Sequence, residues 1–89
     1  MCIRDRKLVF AEQASEDYLH WQATDRKLLK RIHTLIKEAS RTPFEGSGKP
    51  EALKHALSGY WSRRINDEHR MVYRVDGDSL LIAQLRYHY

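Results

Sequence analysis

The sequence lacks long hydrophobic runs, paired cysteines and repeats, and each absence excludes a class of protein. A single cysteine, Cys2, cannot close an internal disulfide, so a reducing, cytoplasmic setting is expected. The longest aliphatic run covers only residues 80–83, whereas about 20 apolar residues are needed to span a bilayer. The N-terminus also lacks the apolar stretch and small-residue cleavage site of a signal peptide. We therefore expect a protein without a membrane partner.

Motifs for metal, nucleotide and covalent chemistry are also missing. The five histidines show no i, i+4 or His-x-His pairing and no cysteine assists them, so we expect no metal and no cofactor. Gly46 and Gly48 are not followed by the Lys-Ser/Thr pair of a phosphate-binding loop. No serine lies in a Gly-x-Ser-x-Gly elbow. Any chemistry must then rely on acidic, basic and cationic side chains.

The composition is that of one small globular domain. Hydrophobic residues make up 42% of the chain and charged residues 31%, which is typical of a soluble domain and not of a disordered tail. A chain of 89 residues allows one domain with a thin core, since domains typically have about 100–150 residues. Residues 1–6 resemble the translation of a sequencing adapter, so we expect a non-native extension there and a single domain over residues 7–89.

Positive charge is in slight excess and is carried by arginine toward the C-terminus. The chain has 16 Lys and Arg against 12 Asp and Glu, a net charge of +4, which suits a solvated surface as well as an acidic or nucleic-acid partner. The planar guanidinium binds phosphate bidentately, as a lysine point charge cannot. The basic residues after Gly59 are Arg63, Arg64, Arg70, Arg74 and Arg86. Their identity favours a ligand that carries phosphate.

The hydrophobic pattern predicts one strand, two helices and then an antiparallel meander. The predicted elements are a strand at 7–10, helices at 11–22 and 24–41, a loop at 42–50, a helical turn at 51–55, and strands at 60–66, 69–75 and from 79 to 87 or beyond. Thr24 is the predicted N-cap of the second helix, and Pro50 starts the helical turn. This order predicts an α+β domain in which the helices pack on one face of the sheet.

Polar residues on these elements form a candidate acid–base set. Glu51 begins the predicted turn with Lys54 on the same side, and Arg64 and Arg70 come from adjacent strands. Alternation along the last strand places Arg86 on the same side as His88. Cleavage of RNA by its ribose 2′-hydroxyl needs a base, an acid and cations for the charge on the phosphate, which this set supplies without a metal. By spacing alone, these residues are better explained as ordinary surface charges.

Seven separate motifs make the chain resemble a known family. They are residues 18–22 (YLHWQ), 41–46 (RTPFEG), 48–51 (GKPE), 53–55 (LKH), 57–65 (LSGYWSRRI), 68–70 (EHR) and 86–89 (RYHY). With them, residues 7–89 closely resemble the YoeB toxins, the Txe/YoeB addiction-module family of the RelE/ParE superfamily. The resemblance implies a RelE-like fold, in which an N-terminal strand and two helices pack on a twisted antiparallel sheet.

The same resemblance implies a function and assigns roles. It implies the toxin of a type II toxin–antitoxin system, a homodimer that cleaves messenger RNA in the ribosomal A site and is neutralised by a YefM-type antitoxin. The expected products are a 2′,3′-cyclic phosphate and a 5′-hydroxyl. The general base falls on Glu51, the phosphate-stabilising arginine on Arg70 and the general acid on His88, while Lys54, Arg64 and Tyr89 support the phosphate or the RNA.

Two other functions remain open at this point. ParE-type toxins share the fold but inhibit DNA gyrase, and their scaffold does not carry the Glu/Arg/His set. A binding module that holds RNA on the arginine-bearing sheet without cleaving it is the second alternative. Alanine at Glu51 would leave the RNA effects of such a module unchanged.

Overall fold

A five-stranded sheet with two helices forms the domain. The computed structural model describes residues 6–86. In chain order the elements are β1 (Lys7–Phe10), α1 (Glu12–Thr24), α2 (Arg26–Arg41), β2 (Glu51–Ala52), a 3-10 turn (His55–Leu57), β3 (Trp61–Arg64), β4 (Arg70–Asp76) and β5 (Ser79–Gln84). The sheet order is β1-β5-β4-β3-β2, parallel between β1 and β5 and antiparallel elsewhere. The predicted α+β architecture is confirmed.

The core lies between the helices and one face of the sheet. The amphipathic α2 buries Ile32 and Leu35 completely, because apolar residues recur on that side at the helical period. Across from them, β4 buries Met71 and Tyr73. The fully enclosed core residues come from α1, α2, β4, β5 and the residue that follows β5; they are Ala14, Ile32, Leu35, Ala39, Met71, Tyr73, Leu80, Ile82 and Leu85. Within the described residues, neither helix is long and apolar enough to cross a membrane.

The N-cap of α2 is Asp25, one residue later than predicted. Asp25 has an extended backbone, and its Oδ1 accepts the Leu28 backbone N–H at 3.0 Å, which satisfies a free donor of the first turn. Thr24 is instead the last residue of α1, and its hydroxyl donates to the His20 carbonyl at 2.7 Å. The carboxylate of Asp25, and not the hydroxyl of Thr24, therefore caps α2.

The helical turn predicted for residues 51–55 is wrong. Glu51 and Ala52 form β2, which pairs with Ser62 and Trp61 at the edge of β3, and a 3-10 turn follows only at His55–Leu57. Pro50 lacks an N–H group, which is tolerated just before a short edge strand as well as at a helix start. Pairing with the open edge of β3 therefore overrides the local preference for a turn.

A β-bulge ends the regular part of β5 earlier than predicted. Tyr73 is opposite Ile82 but Val72 is opposite Gln84, so Ala83 is an extra residue without a partner on β4. β5 ends at Gln84, before Arg86, so the prediction that Arg86 and His88 share one side of a strand stays untested. His88 lies outside the described residues.

The proposed N-terminal extension also lies mostly outside the described residues. Residues 1–5 are not described, and Arg6 donates to the Ser40 carbonyl at 3.0 Å. The non-native origin of residues 1–6 stays a prediction.

Candidate functional site

A cleft on the sheet face opposite the helices brings the predicted basic and acidic residues together. It has a volume of about 270 Å³ and is lined by Lys49, Pro50, Glu51, Arg64 and Arg70. A larger groove of about 760 Å³ lies among β1, α1 and α2, but its lining is mainly apolar. Acid–base chemistry therefore belongs to the smaller cleft, in which three cations surround one carboxylate.

Strand register explains why these side chains meet. Glu51 is directly opposite Ser62, and Arg64 is directly opposite Arg70. Residues paired across strands point to the same face, so all four belong to one face of the sheet. Facing guanidiniums repel each other, which favours an anion between them. The register therefore predicts an anion-binding cleft on physical grounds.

Arg70 is held in place while Glu51 is open to solvent. Arg70 Nη1 donates to Ser62 Oγ at 3.2 Å and lies 3.6 Å from Glu51 Oε1. The Arg70 side chain is 19% exposed and that of Glu51 is 61% exposed. The guanidinium thus has a fixed position, and the carboxylate beside it is accessible to a ligand.

The arginines after Gly59 were expected to favour a ligand that carries phosphate, but Arg63 lies away from the cleft. Its side chain is fully buried on the helix-facing side of β3 and donates from Nη2 to the carbonyls of Thr42 (2.6 Å) and Glu45 (2.8 Å). Nη1 donates to the Ser47 carbonyl at 3.2 Å, and Nε donates to the Tyr73 hydroxyl at 3.0 Å. Arg63 therefore organises the loop between α2 and β2 and does not bind phosphate.

Two further side chains complete the anchoring of this loop. Burial raises the pKa of the Tyr73 phenol above its ordinary value, so its hydroxyl stays protonated and donates to the Pro43 carbonyl at 2.6 Å. Glu38 Oε1 accepts the Ser47 backbone N–H at 2.9 Å, and hydrogen bonding from Ser47, together with the nearby Arg63 charge, lowers the pKa of Glu38. Buried or partly buried side chains thus form the hydrogen bonds that the backbone of the loop requires.

The loop delivers Lys49, Pro50 and Glu51 to the cleft. Gly48 has a φ of +83°, and its carbonyl accepts the Arg64 backbone N–H at 2.6 Å. A Cβ at Gly48 would lie 3.0 Å from the Arg64 carbonyl oxygen, so only glycine allows this close approach. Lys49 follows with a φ of +52°, an uncommon conformation for a non-glycine residue.

Lys49 was missed as a site residue by sequence reasoning. The signal for it was the 48–51 motif, in which Lys49 lies two residues before the predicted base Glu51. Lys54, in contrast, is exposed just before the 3-10 turn and is not among the residues that line the cleft. Its role in RNA binding stays a prediction, as do the roles of His88 and Tyr89, which lie outside the described residues.

The remaining two arginines of the series contact other parts of the protein. Arg74 lies over the Tyr60 ring, 5.5 Å from its centroid, and its Nη2 is 3.8 Å from Asp76 Oδ2. Arg86 lies over the Trp21 ring at 5.8 Å. Of the five arginines, Arg64 and Arg70 are thus the two that line the cleft.

Comparisons with known proteins agree on one family. The sequence profile described as a YoeB-like toxin of a bacterial type II toxin–antitoxin system matches residues 10–89. Toxin YoeB of Escherichia coli (strain K12) is 63% identical over 83 residues, which cover 93% of this chain and 99% of the relative.

Solved structures give the same result. A YoeB dimer from Staphylococcus aureus matches with a TM-score of 0.89 and 48% identity, covering 97% of this chain and 100% of that chain. A chain of a YoeB–YefM complex from the same organism matches with a TM-score of 0.87 and 47% identity, again covering 97% and 100%. With the observed sheet order, these similarities confirm the predicted RelE-like fold.

Proposed function

Since this chain belongs to the family of YoeB-like toxins of bacterial type II toxin–antitoxin systems, we propose that it is a ribosome-dependent endoribonuclease. Its substrate is messenger RNA in the ribosomal A site. The reaction uses acidic, basic and cationic side chains of the chain itself and works in the cytoplasm.

The pair of Glu51 and Arg70 is the observation that carries the proposal. The carboxylate lies 3.6 Å from a guanidinium in an open, positively charged cleft, which suits a base beside an anchored phosphodiester. An incoming phosphate competes with Glu51 for Arg70 and so frees the carboxylate to accept a proton. Arg64, opposite Arg70, supplies a second guanidinium for the phosphate oxygens.

The proposed reaction is a transphosphorylation with a base on one side of the phosphate and an acid on the other. Glu51 accepts the proton of the ribose 2′-hydroxyl, and the oxygen attacks the adjacent phosphorus. Arg70 stabilises the charge that develops on the phosphoryl oxygens. His88 donates a proton to the departing 5′-oxygen, so the bond to that oxygen breaks and leaves a 2′,3′-cyclic phosphate and a 5′-hydroxyl.

Partners are proposed from the relatives. The solved relatives include a YoeB–YefM complex and a YoeB dimer. We expect a YefM-type antitoxin to neutralise this chain, and we expect the free toxin to form a homodimer. Its net charge of +4 supports contact with ribosomal and messenger RNA.

Mapping of messenger RNA 5′ ends in a reconstituted translation reaction tests the proposal. We expect Glu51→Gln, Arg70→Ala and His88→Ala each to reduce cleavage by at least about 10²-fold, because each removes one acid, base or charge-stabilising group. Matched controls are Glu16→Gln on α1 and Arg26→Ala on α2, which remove the same charges from exposed positions and should cleave normally.

Two outcomes would contradict the proposal. Unchanged RNA effects in Glu51→Gln would favour the binding module that does not cleave. Inhibition of gyrase supercoiling by wild-type protein, with no new 5′ ends in translated messenger RNA, would favour a ParE-type activity.

A further inference from the structure

Two buried polar side chains of α1 are both directed at the backbone of Leu85. Asp17 Oδ2 accepts the Leu85 N–H at 3.0 Å, and Trp21 Nε1 donates to the Leu85 carbonyl at 2.9 Å. Asp17 is only 2% exposed and Trp21 only 7%. Together they satisfy both backbone polar groups of a single residue, an arrangement that we name the Leu85 clamp.

The clamp lies at the point where the pairing of β5 with β4 ends. Regular pairing of β5 with β4 ends at Gln84, directly after the bulge at Ala83. Leu85 is therefore the first residue whose backbone depends on side chains instead of on a neighbouring strand. Burying a carboxyl group and an indole N–H is unfavourable unless both are hydrogen-bonded, and here both hydrogen bonds go to the backbone of one residue. The clamp thus specifies a position of the chain more than it adds to the core.

The clamped position is close to the cleft. Gln84 is opposite Val72, and Val72 is opposite Ser62, the residue that accepts a hydrogen bond from Arg70. Two strand spacings of about 4.8 Å separate Gln84 from Ser62. Because β5 runs antiparallel to β4, the chain beyond Gln84 leaves in the direction that leads from Val72 to Arg70. His88 is three residues after Leu85, and three residues span at most about 10 Å, which is long enough to cover the two residues of β4, about 7 Å, from the level of Val72 to that of Arg70.

From this juxtaposition we propose that Asp17 and Trp21 are positioning residues for His88. By holding Leu85 they determine where the last residues of the chain start, and so bring the imidazole to the phosphate beside Arg70. The inference rests on the proposed acid role of His88, but none of the three clamp residues lines the cleft. α1 thereby has a function in the reaction besides packing on the sheet.

Variants that open the clamp should reduce the rate of cleavage and leave ribosome binding unchanged. Trp21→Phe removes the indole N–H and keeps an aromatic ring in the core, and Asp17→Ala removes the acceptor. We expect cleavage at saturating ribosome concentration to fall by about 10- to 100-fold, the range for a slightly misplaced catalytic group. Asp17→Asn keeps an oxygen for the Leu85 N–H and should restore most of the rate. Ile36→Val, which removes a methylene group in the groove among β1, α1 and α2, controls for lost core stability.

A double-mutant cycle separates positioning from general damage. In a His88→Ala background, Trp21→Phe should cause no further loss, because there is no imidazole left to misplace. The same fold loss in both backgrounds would overturn the inference. Full cleavage by His88→Ala alone would remove the proposed acid role and, with it, the purpose assigned to the clamp.

Measurements on the free protein test the clamp without any cleavage. We expect amide hydrogen exchange at Leu85 to rise at least about tenfold in Asp17→Ala, since its N–H loses its acceptor. The imidazole resonances of His88 should change in Trp21→Phe, whereas those of His33, which contacts Tyr18 on the groove side, should not. Unchanged exchange at Leu85, or unchanged His88 resonances, would overturn the inference even if cleavage fell.

Discussion

Two adjacent arginines on β3 show how the two faces of the sheet differ. Arg63 is fully buried, and its guanidinium donates to the Tyr73 hydroxyl and to three carbonyls of the loop between α2 and β2. Arg64, the next residue, is exposed and lines the cleft opposite Arg70. Because successive side chains on a strand point to opposite faces, neighbouring residues of one type have unrelated environments.

The comparison teaches that an arginine can recognise the protein's own carbonyl groups as well as a ligand's phosphate. A guanidinium has five N–H donors in a fixed plane, enough to hold several loop carbonyls at once. The loop that Arg63 holds carries Lys49 and Glu51 to the cleft that Arg64 lines. The helix-facing side of β3, through Arg63, therefore positions the loop that carries Lys49 and Glu51, and the opposite side contributes Arg64 to the cleft.

The largest expected effect is the loss of stability in Arg63→Met. The substitution removes the Arg63 donor from the carbonyls of Thr42, Glu45 and Ser47. The first two keep longer bonds, from the Glu45 N–H at 3.4 Å and the Thr42 hydroxyl at 3.3 Å, and each buried group that stays unsatisfied costs about 1–3 kcal/mol. Because part of the loop can rehydrate, we expect a fall of about 3 kcal/mol in the free energy of unfolding. Urea denaturation measures it. A fall below about 1 kcal/mol would mean that the buried arginine is not what holds the loop.

Gly46→Ala should have the next largest effect, on the same loop. A Cβ there would lie 2.7 Å from Glu38 Oε1 and 3.2 Å from Arg63 Nη1, at a φ of +118°. We expect a loss of about 2 kcal/mol, since the strained backbone alone costs about 1–3 kcal/mol and the carboxylate must move as well. Gly59→Ala is the matched control, because Gly59 also has a positive φ of +97° but nothing lies within 4 Å of its Cβ position. Equal losses in the two variants would show that the contact with Glu38 is unimportant.

Arg64→Met should separate the two arginines most clearly. We expect the free energy of unfolding to change by no more than about 0.5 kcal/mol, because an exposed charge is removed and its repulsion of Arg70 disappears. Cleavage should fall about tenfold, the scale of one charge-assisted hydrogen bond to phosphate. Parallel urea denaturation and cleavage assays measure both, with Arg26→Met as the control. If Arg64→Met lost as much free energy of unfolding as Arg63→Met, the result would contradict the assignment of the two arginines to different faces of β3.

The smallest expected effect is a pH dependence that comes from Glu38. Its pKa in the folded protein is lowered from the ordinary 4.5 by hydrogen bonding from Ser47 and then by the Arg63 charge. The ionised form therefore stabilises the fold above pH 4.5, and this contribution is lost as the pH falls through the lowered value. Because the group is partly exposed, we expect less than about 1 kcal/mol.

Glu38→Gln reveals this contribution in urea denaturation at two pH values. At pH 7 the variant should be less stable than the wild type, and the difference should shrink at pH 3. A constant difference at both pH values would assign the effect of Glu38 to packing and not to its charge.

Much of the fold was predictable because it depends on local periodicity. The 3.6-residue spacing of apolar residues located α1 and α2 to within about two residues. The β1 bounds agree with the prediction, and alternation located β3 and β4 to within about two residues. β2 and the bulge at Ala83 were missed, since both arise from pairing between strands that are distant in sequence.

The types of residue in the site could be predicted from the sequence, but the way in which the fold brings them together could not. Glu51, Arg64 and Arg70 were singled out from the sequence, and the structure brings them to one cleft. Lys49 was missed because its place depends on the left-handed turn at Gly48. The roles of Lys54, His88 and Tyr89 stay predictions.

The sequence by itself determined the class of fold and the chemical inventory of the site, because residue spacing and side-chain chemistry are local properties. Only the tertiary structure decided which arginine binds the loop and which lines the cleft. It also decided that two side chains of α1 form hydrogen bonds with the backbone of Leu85. Those outcomes depend on strand register and on contacts across tens of residues, for which the linear pattern carries no direct signal.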